Sequence, residues 1–321
     1  KIYIMKNINL STTTSITTTY EGQFAGKYLA AALLSAPTLE QGGVTILPNV
    51  AYKQVMQKVA TGDIVANATC DFTPSSTITL TERVLTTEEF QVNLQLCKAD
   101  LAQSWQSAEM GYSSFKTLPK SFSDFLIAHV AAKVAAKIET TIWNGTNATA
   151  GEFAGFKTLF LADSDVIDVS SPLTTTLDAT TVIGEIGRTV DLIPAALYGN
   201  ENLRIYVSQK IAKLYVRALG GFGASGLGAN GTNAQGTQWY TNGSLTYDGI
   251  PIFMANGLGA NNMVATTVDN LYFGCGLLSD KSLCKTIDMS DIDGSNNVRV
   301  VMRYNAAVQY GIGSDVVLYG V

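Results

Sequence analysis

The stretch from Ser121 to Phe156 is SFSDFLIAHVAAKVAAKIETTIWNGTNATAGEFAGF, and it decides the fold prediction. Its first part predicts one long amphipathic helix over Ser121–Trp143, because apolar residues recur at helical spacing. The stripe comprises Phe122, Phe125, Leu126, His129, Val130, Lys133-Val134, Ile138 and Ile142. Ser121 and Asp124 have the spacing of a capping box, which marks a helix start.

The remaining surface of this helix is expected to face solvent, with Lys120, Lys133, Lys137 and Glu139 on it. Asn144-Gly145 then breaks the helix, and a small polar loop leads to Gly155-Phe156. A long helix followed by a glycine-marked turn is typical of a scaffold rather than of a catalytic element.

The composition indicates a folded chain with an uncharged polar surface. Hydrophobic residues make up 46% of the 321 positions and charged residues only 15%, which argues against disorder; the length alone suits about two domains. Such a surface suits a protein that buries area against copies of itself. It equally suits a secreted β-rich domain.

The charge argues against specific nucleic-acid binding. The net charge is −5, whereas proteins that grip phosphates carry a basic face. Enclosing nucleic acid without gripping it stays compatible. The longest uncharged apolar run, Tyr28–Pro37, is shorter than the roughly 20 residues that cross a bilayer, so no membrane partner is expected.

No metal site, cofactor site or catalytic centre is predicted. His129 is the single histidine, and Cys70, Cys97, Cys275 and Cys284 lack paired spacing, so zinc is not expected. Free thiols are predicted, with a Cys70–Cys97 bridge as the alternative. On an apolar helix stripe His129 is expected to be a packed structural residue, and no serine elbow accompanies it.

A glycine-rich loop contains a dinucleotide-type pattern in the wrong context. Gly221-Phe-Gly223-Ala-Ser-Gly226 is a GxGxxG, and Asp248 follows at a suitable distance. That motif requires a strand before it and a helix after it, whereas here a predicted helix precedes it. A flexible loop is the preferred interpretation.

Two further sets of polar residues are interpreted without a ligand. Aspartates cluster at 163, 165 and 168 and at 288, 291 and 293, where solvated turns are expected because the calcium-loop spacing is missing. Six glycosylation sequons are attributed to chance in a chain this rich in Thr and Asn, and they are Asn9, Asn67, Asn144, Asn147, Asn230 and Asn242.

The first part of the chain is predicted to form an arm and then a ribbon. The arm includes a helix over Gln23–Leu34, ended by Pro37, and the ribbon consists of strands Ile64–Phe72 and Ile78–Val84 around a turn at Pro74-Ser75-Ser76. A short helix through Tyr52, Val55, Met56 and Val59 opens this region, and a strand over Glu89–Leu96 closes it. Because a two-stranded ribbon has too little core to stand alone in water, it needs a neighbour to lie on.

The second part alternates helices and strands, which makes the class mixed α+β. The predicted helices are Ala179–Leu197 and a helix from Ser208 to Leu219, followed by the glycine loop Gly220–Gly236. The predicted strands are Leu203–Val207, Ile250–Met254, Asn270–Phe273, Val298–Tyr304 and Val316–Tyr319.

This serial order resembles the major capsid proteins of tailed bacteriophages, the Hong Kong 97 type. The segments Thr246–Phe253 and Asn270–Asp280 look like two successive strand motifs of that family, with Cys275 where an acid is commoner. The strand from Arg299 to Val308 resembles the family's closing strand. The resemblance covers nearly the whole chain and rests on the order of the motifs.

The resemblance implies an α+β Hong Kong 97-type capsid fold in five parts. They are an N-terminal arm (1–40), an extended β E-loop (41–96), a peripheral domain (97–165) with a spine helix (121–143), an axial domain (166–290) and C-terminal strands (291–321) that return to the peripheral domain. The glycine loop would point to the capsomer axis.

The implied function is structural. Copies would form hexamers and pentamers of an icosahedral shell that encloses double-stranded DNA, with the E-loop over a neighbouring subunit. Portal, scaffold or decoration proteins are further implied partners, and the location is the virion, assembled in the host cytoplasm. An encapsulin-type nanocompartment shell shares the fold and stays open, as does a nucleotide-binding enzyme that uses the glycine loop.

Overall fold

The computed structural model describes residues 37–61, 65, 67–68, 70, 78–98, 120–172, 177–219, 245–276, 284–290 and 292–320. The predicted arm helix, the ribbon turn, the GxGxxG loop and Asp291 lie outside these ranges. The described residues fall into two compact units. Unit 1 contains 91–98, 120–131, 284–290 and 292–303, and unit 2 contains the rest.

Five α-helices are described, and mixed α+β is confirmed as the class. They are α1 Pro37–Glu40, α2 Lys120–Asn144, α3 Phe156–Leu161, α4 Val182–Asp191 and α5 Gln209–Leu219, with 3-10 turns at Val268–Asn270 and Gly313–Asp315. The predicted long helix is α2, within a residue at each end. The helix predicted over Ala179–Leu197 is shorter than expected, because it spans only Val182–Asp191 and Pro194, which cannot continue a helix, follows shortly after.

Thirteen strands occur in the described part of the chain. They are β1 Thr45–Leu47, β2 Lys53–Thr61, β3 Ile78–Thr86, β4 Glu88–Cys97, β5 Ile167–Asp168, β6 Leu203–Val207, β7 Leu245–Tyr247, β8 Ile250–Met254, β9 Met263–Thr267, β10 Leu271–Cys275, β11 Cys284–Asp288, β12 Asn297–Tyr310 and β13 Val317–Tyr319.

The largest sheet belongs to unit 2 and has the order β5-β13-β9-β6-β8-β7. Its central strands β6 and β9 are almost entirely buried. The helices α4 and α5 pack on it through apolar side chains at helical spacing, among them Val182, Ile186, Val190, Ile211 and Tyr215. This layer is the main core of the unit.

The long strand β12 contributes to both units. Its second half pairs antiparallel with β10 in unit 2, and β10 pairs parallel with β1. Its first half pairs antiparallel with β11 in unit 1, and β4 also pairs with β12.

The remaining sheet is the ribbon, formed by β2 and β3. Nine residues of each strand pair, from Lys53 with Thr86 to Thr61 with Ile78. The strand predicted from Ile78 is confirmed. The helix predicted through Tyr52–Val59 is wrong, since this segment is β2. The described residues of the predicted strand Ile64–Phe72, which include Val65 and Cys70, lie in no strand.

Candidate functional site

The two faces of the ribbon differ in chemistry. Alternate residues of a strand point to opposite faces, and Val55 pairs with Val84. One face, here called the outer face, therefore carries Val55, Ile78, Leu80 and Val84, with the polar pair Gln57 and Glu82 between them. The four apolar side chains are 37% to 70% exposed. Several large apolar side chains exposed on one face of a ribbon are typical of a surface that another protein covers.

The opposite, inner face is anchored at its base by Leu85. The Leu85 side chain is fully buried in a small cluster with Val50 and Ala307, packed against Met56 and Tyr272. Gly274 makes room for it, because a Cβ at that position would collide with a Leu85 methyl group. Backbone hydrogen bonds from Asn49 to Gly276 and from Val50 to Cys275 fasten the chain just before the ribbon.

Two residues outward on the same face, Arg83 contacts two groups outside the ribbon. Its guanidinium pairs with the Asp163 carboxylate and lies 4.2 Å from the centre of the Tyr310 ring. The Tyr310 hydroxyl donates to the same carboxylate oxygen at 2.5 Å, and the Asp165 amide donates to the other oxygen at 3.0 Å. Arg83, Asp163 and Tyr310 therefore form one network.

This network favours the charged forms of its acid and base. Burial opposes ionisation of Asp163, but hydrogen bonds from Tyr310, the Asp165 amide and Arg83 outweigh it and hold the pKa of the carboxyl below its usual value. Burial, followed by the hydrogen bond to Asp163, raises the pKa of the Tyr310 hydroxyl. Burial disfavours the Arg83 cation, yet its bond to Asp163 raises the pKa of the guanidinium above its usual value.

Beyond Arg83 a cleft of about 590 Å³ opens in unit 2 along the ribbon. The ribbon contributes Lys58 and Thr81 from its inner face, and the opposite wall contains Asp269 and Tyr272. The charged residues of the opposite wall are all acidic, namely Asp165, Asp269 and Asp315, whereas the cations Lys58 and Arg83 belong to the ribbon. The wall offers no concentrated set of ligands for a small molecule.

A second buried polar network holds the carboxyl end of α2. The Glu139 carboxylate is fully buried and accepts hydrogen bonds from the Thr38 hydroxyl at 2.6 Å, the Thr38 amide at 3.2 Å and the Gly257 amide at 3.3 Å. The Trp143 indole donates to the Thr38 hydroxyl at 2.9 Å. Burial raises the pKa of the Glu139 carboxyl despite these donors.

The expectation from the sequence that Glu139 faces solvent is wrong, because its side chain is buried. Its partners Thr38 and Gly257 are 101 and 118 residues away in sequence. No local pattern reveals them, and an acid next to lysines on a helix normally faces solvent. The structural role of this residue is to tie three distant segments together.

The glycine-marked turn after α2 is explained by close backbone approaches. A Cβ at Gly145 would collide with the carbonyl oxygen of Phe153, and one at Gly155 with that of Thr141. The Gly155 amide donates to the Gly145 carbonyl at 2.9 Å. Glu152 closes the loop by pairing with Lys137 and accepting from the Thr146 amide.

The aspartates predicted to be solvated divide into two groups. Asp165 and Asp293 are exposed in turns and fit the prediction, whereas Asp168 is exposed but belongs to the strand β5. Asp163 belongs to the Arg83 network, and Asp288 binds Lys98 within unit 1, so the prediction is wrong for both. The Lys98 ammonium is 1% exposed and lies 2.7 Å from the carboxylate, because a buried lysine requires a paired anion.

The other candidate residues do not lie together in one site. His129 is half-buried on α2, as the packed-residue interpretation expects. Cys70, Cys97 and Cys275 form no disulfide bond, so the alternative Cys70–Cys97 bridge is absent. Asp248 occupies a hairpin turn between β7 and β8, with a φ of 48°. The Asn144 amide donates to the Gly257 carbonyl.

Within the described ranges there is no group of three or more His, Cys, Asp or Glu side chains that could hold a metal ion. Among the same residues no helix is both long enough and apolar enough to cross a membrane.

No protein-family model and no curated protein matches the sequence. Solved structures do match. The capsid of Myoviridae phage XM1 is similar over 99% of both chains, with a TM-score of 0.54 and 13% identity. The capsid of an empty GTA particle is similar over 92% of both chains, with a TM-score of 0.57 and 12% identity.

The chain has the fold of phage capsid proteins. A structure from Gordonia phage Cozz agrees, with a TM-score of 0.56, 13% identity and coverage of 93% of this chain and 89% of that one. At such low identity the likeness carries the fold alone, and it confirms the resemblance drawn from the order of the sequence motifs. The match to this capsid fold extends over whole chains rather than over one shared domain.

Proposed function

We propose that this protein is the structural subunit of a phage-type capsid. Copies assemble through hexamers and pentamers into an icosahedral shell that encloses double-stranded DNA. The observation that carries the proposal is the capsid fold over 92% to 99% of this chain and of the two capsid structures it resembles.

The ribbon supports self-assembly as the activity. Its outer face exposes Val55, Ile78, Leu80 and Val84 to water, which is unfavourable by roughly 25 cal/mol per Å² of apolar surface. A neighbouring subunit that covers this face removes the cost. The ribbon thus acts as the E-loop of the Hong Kong 97-type arrangement, with peripheral and axial domains over 97–165 and 166–290.

The charge supports enclosure without tight binding. A net charge of −5 does not trap DNA against the wall, because phosphate binding needs clustered cations. The protein carries out no catalysis in this account. Portal, scaffold and decoration proteins are its expected partners in a virion assembled in the host cytoplasm.

One pair of substitutions tests the assembly role of the outer face. Leu80→Asp places a charge on the outer face, and Leu161→Asp places one on α3, where Leu161 is 55% exposed. We expect Leu80→Asp to prevent assembly, and Leu161→Asp to assemble like the wild type in light scattering and electron microscopy. Equal assembly of both variants would contradict the role of the ribbon.

The contents of native particles separate this shell from an encapsulin-type one. Particles purified from the source should contain double-stranded DNA that resists nuclease until the shell is opened. Shells that hold a protein cargo and no DNA would contradict DNA enclosure while leaving assembly intact. A thermal shift with NAD or ATP should show no stabilisation, because the glycine loop lacks a preceding strand.

A further inference from the structure

Along the inner face of β3 the surroundings change at Arg83 from a buried cluster to an open cleft. Leu85, Arg83 and Thr81 follow one another on this face at alternate positions. Leu85 is buried in its cluster, Arg83 is engaged by Asp163 and Tyr310, and Thr81 lines the open cleft. Arg83 therefore stands where the ribbon leaves the body of unit 2.

The partners of Arg83 are held more firmly than Arg83 itself. Tyr310 is 1% exposed and ends β12, and its ring packs edge-on against Phe160 of α3 at 4.9 Å between centroids. Asp163 follows α3 and is fixed from its other side by the Asp165 amide. Next to Arg83, the Gln309 side chain donates to the Val84 carbonyl at 3.2 Å.

The direction of the ribbon depends strongly on its base. A nine-residue strand extends for about 30 Å at the usual rise. Because β2 and β3 are paired along this whole length, they move together. A rotation of about 10° at the base then shifts the far end by roughly 5 Å, and the cleft leaves space for such a movement.

We propose that Arg83, Asp163 and Tyr310 form a latch that fixes the direction of the ribbon in the free subunit. The latch presents the outer face at one angle to a second copy of this chain. Asp163 and Tyr310 are positioning residues that act through Arg83. The link to assembly rests on the proposed function, whereas the latch itself is a property of the single subunit.

Variants in free subunits test the latch directly. Arg83→Gln removes the cation, Asp163→Asn removes the anion, and Tyr310→Phe keeps the ring but deletes the hydroxyl. Arg204→Gln is the matched control, because Arg204 also lies over an aromatic ring, 5.6 Å from the centre of Phe253, and donates to the Gly42 carbonyl away from the ribbon.

Hydrogen exchange and limited trypsin digestion are the two measurements. We expect amide exchange in β2 and β3, and cleavage after Lys58, to rise roughly tenfold in Arg83→Gln and Asp163→Asn, since charge-assisted bonds are lost. Tyr310→Phe should show a smaller rise, and Arg204→Gln none. The double variant Arg83→Gln, Asp163→Asn should exchange no faster than Arg83→Gln alone, because Asp163 acts on the ribbon through Arg83.

Two results would overturn the latch. One is unchanged exchange in β2 and β3 in every latch variant. The other is an equal rise in β6 and β9, which would make the network a general stabiliser. Failure of the wild type to assemble would count against the proposed function alone, since ribbon exchange in free subunits reports the latch separately. Variants in which β2 and β3 exchange faster, but which assemble at the wild-type rate, would refute the link between the latch and assembly.

Discussion

The Leu85 side chain occupies the space that Gly274 leaves by having no Cβ. Leu85 lies at the base of the ribbon and Gly274 in the last part of β10, 189 residues later in the sequence. Leu85 is fully buried there. This contact joins the ribbon to the sheet that contains β12. The size of residue 274 therefore determines how closely the base of the ribbon packs against β10.

Gly274→Ala should destabilise the protein and loosen the ribbon. The new methyl group would collide with one Leu85 methyl group and press tightly on the other, and overpacking of this kind costs about 1–3 kcal/mol of unfolding free energy. Chemical denaturation measures the loss. Gly276→Ala is the control, because a Cβ there meets Asn305 at an ordinary 3.6 Å. Equal stability of the two variants would show that Leu85 is not confined by residue 274.

Glu139→Gln should cost about 2 kcal/mol of unfolding free energy, because its amide group cannot accept all the bonds that a buried carboxylate accepts. The Thr38 and Gly257 amides both donate to the wild-type side chain, and one of them would face an NH₂ group. Glu201→Gln, at an exposed turn position, is the control. A loss no larger than the control's would mean that the donors find other acceptors.

Acid should weaken the start of α4 through Asp178. Hydrogen bonds from Thr180, including its hydroxyl, and from Thr181 lower the pKa of the Asp178 carboxyl to about 2. A lowered folded-state pKa stabilises the protein above the usual value near 3.8, and this stability is lost as the pH falls towards 2. An NMR titration of Asp178 measures the pKa. Asp178→Ala should flatten the dependence of stability on pH in this window, and an unchanged dependence would contradict the role of Asp178.

His129→Gln should leave assembly intact at a modest stability cost of about 1 kcal/mol, which is typical of a single substitution. The residue is half-buried on α2, and a structural role is predicted for it. Unfolding curves and electron microscopy of assembled particles check this. Loss of a defined enzymatic turnover, with assembly preserved, would be evidence for a catalytic role instead.

Elements with a strong local pattern were predictable from the sequence. The helix α2 combines a long apolar stripe with a glycine break. The strand β6 is a short apolar run. It is followed by Ser208, whose hydroxyl accepts a hydrogen bond from the Ile211 amide at 3.4 Å at the start of the next helix. Such signals are contained within the segment itself, so tertiary contacts only reinforce them.

The ribbon and the buried acid were not predictable in full, for two physical reasons. The strand β2 is exposed along most of its described length, so it lacks the apolar–polar alternation of a half-buried strand, and the spacing of Tyr52, Val55, Met56 and Val59 imitates a helix. The burial of Glu139, and the pairings of Arg83 with Asp163 and of Lys98 with Asp288, depend on residues 80 to 190 positions away.

Assembly of the purified wild-type protein, followed by electron microscopy and sedimentation, tests the central claim most directly. At micromolar concentration in assembly buffers, the account predicts hexamers, pentamers or closed icosahedral shells in which trypsin cleaves after Lys53 and Lys58 far more slowly than in free subunits. Only monomers under these conditions, together with only monomers recovered from the native source, would contradict it.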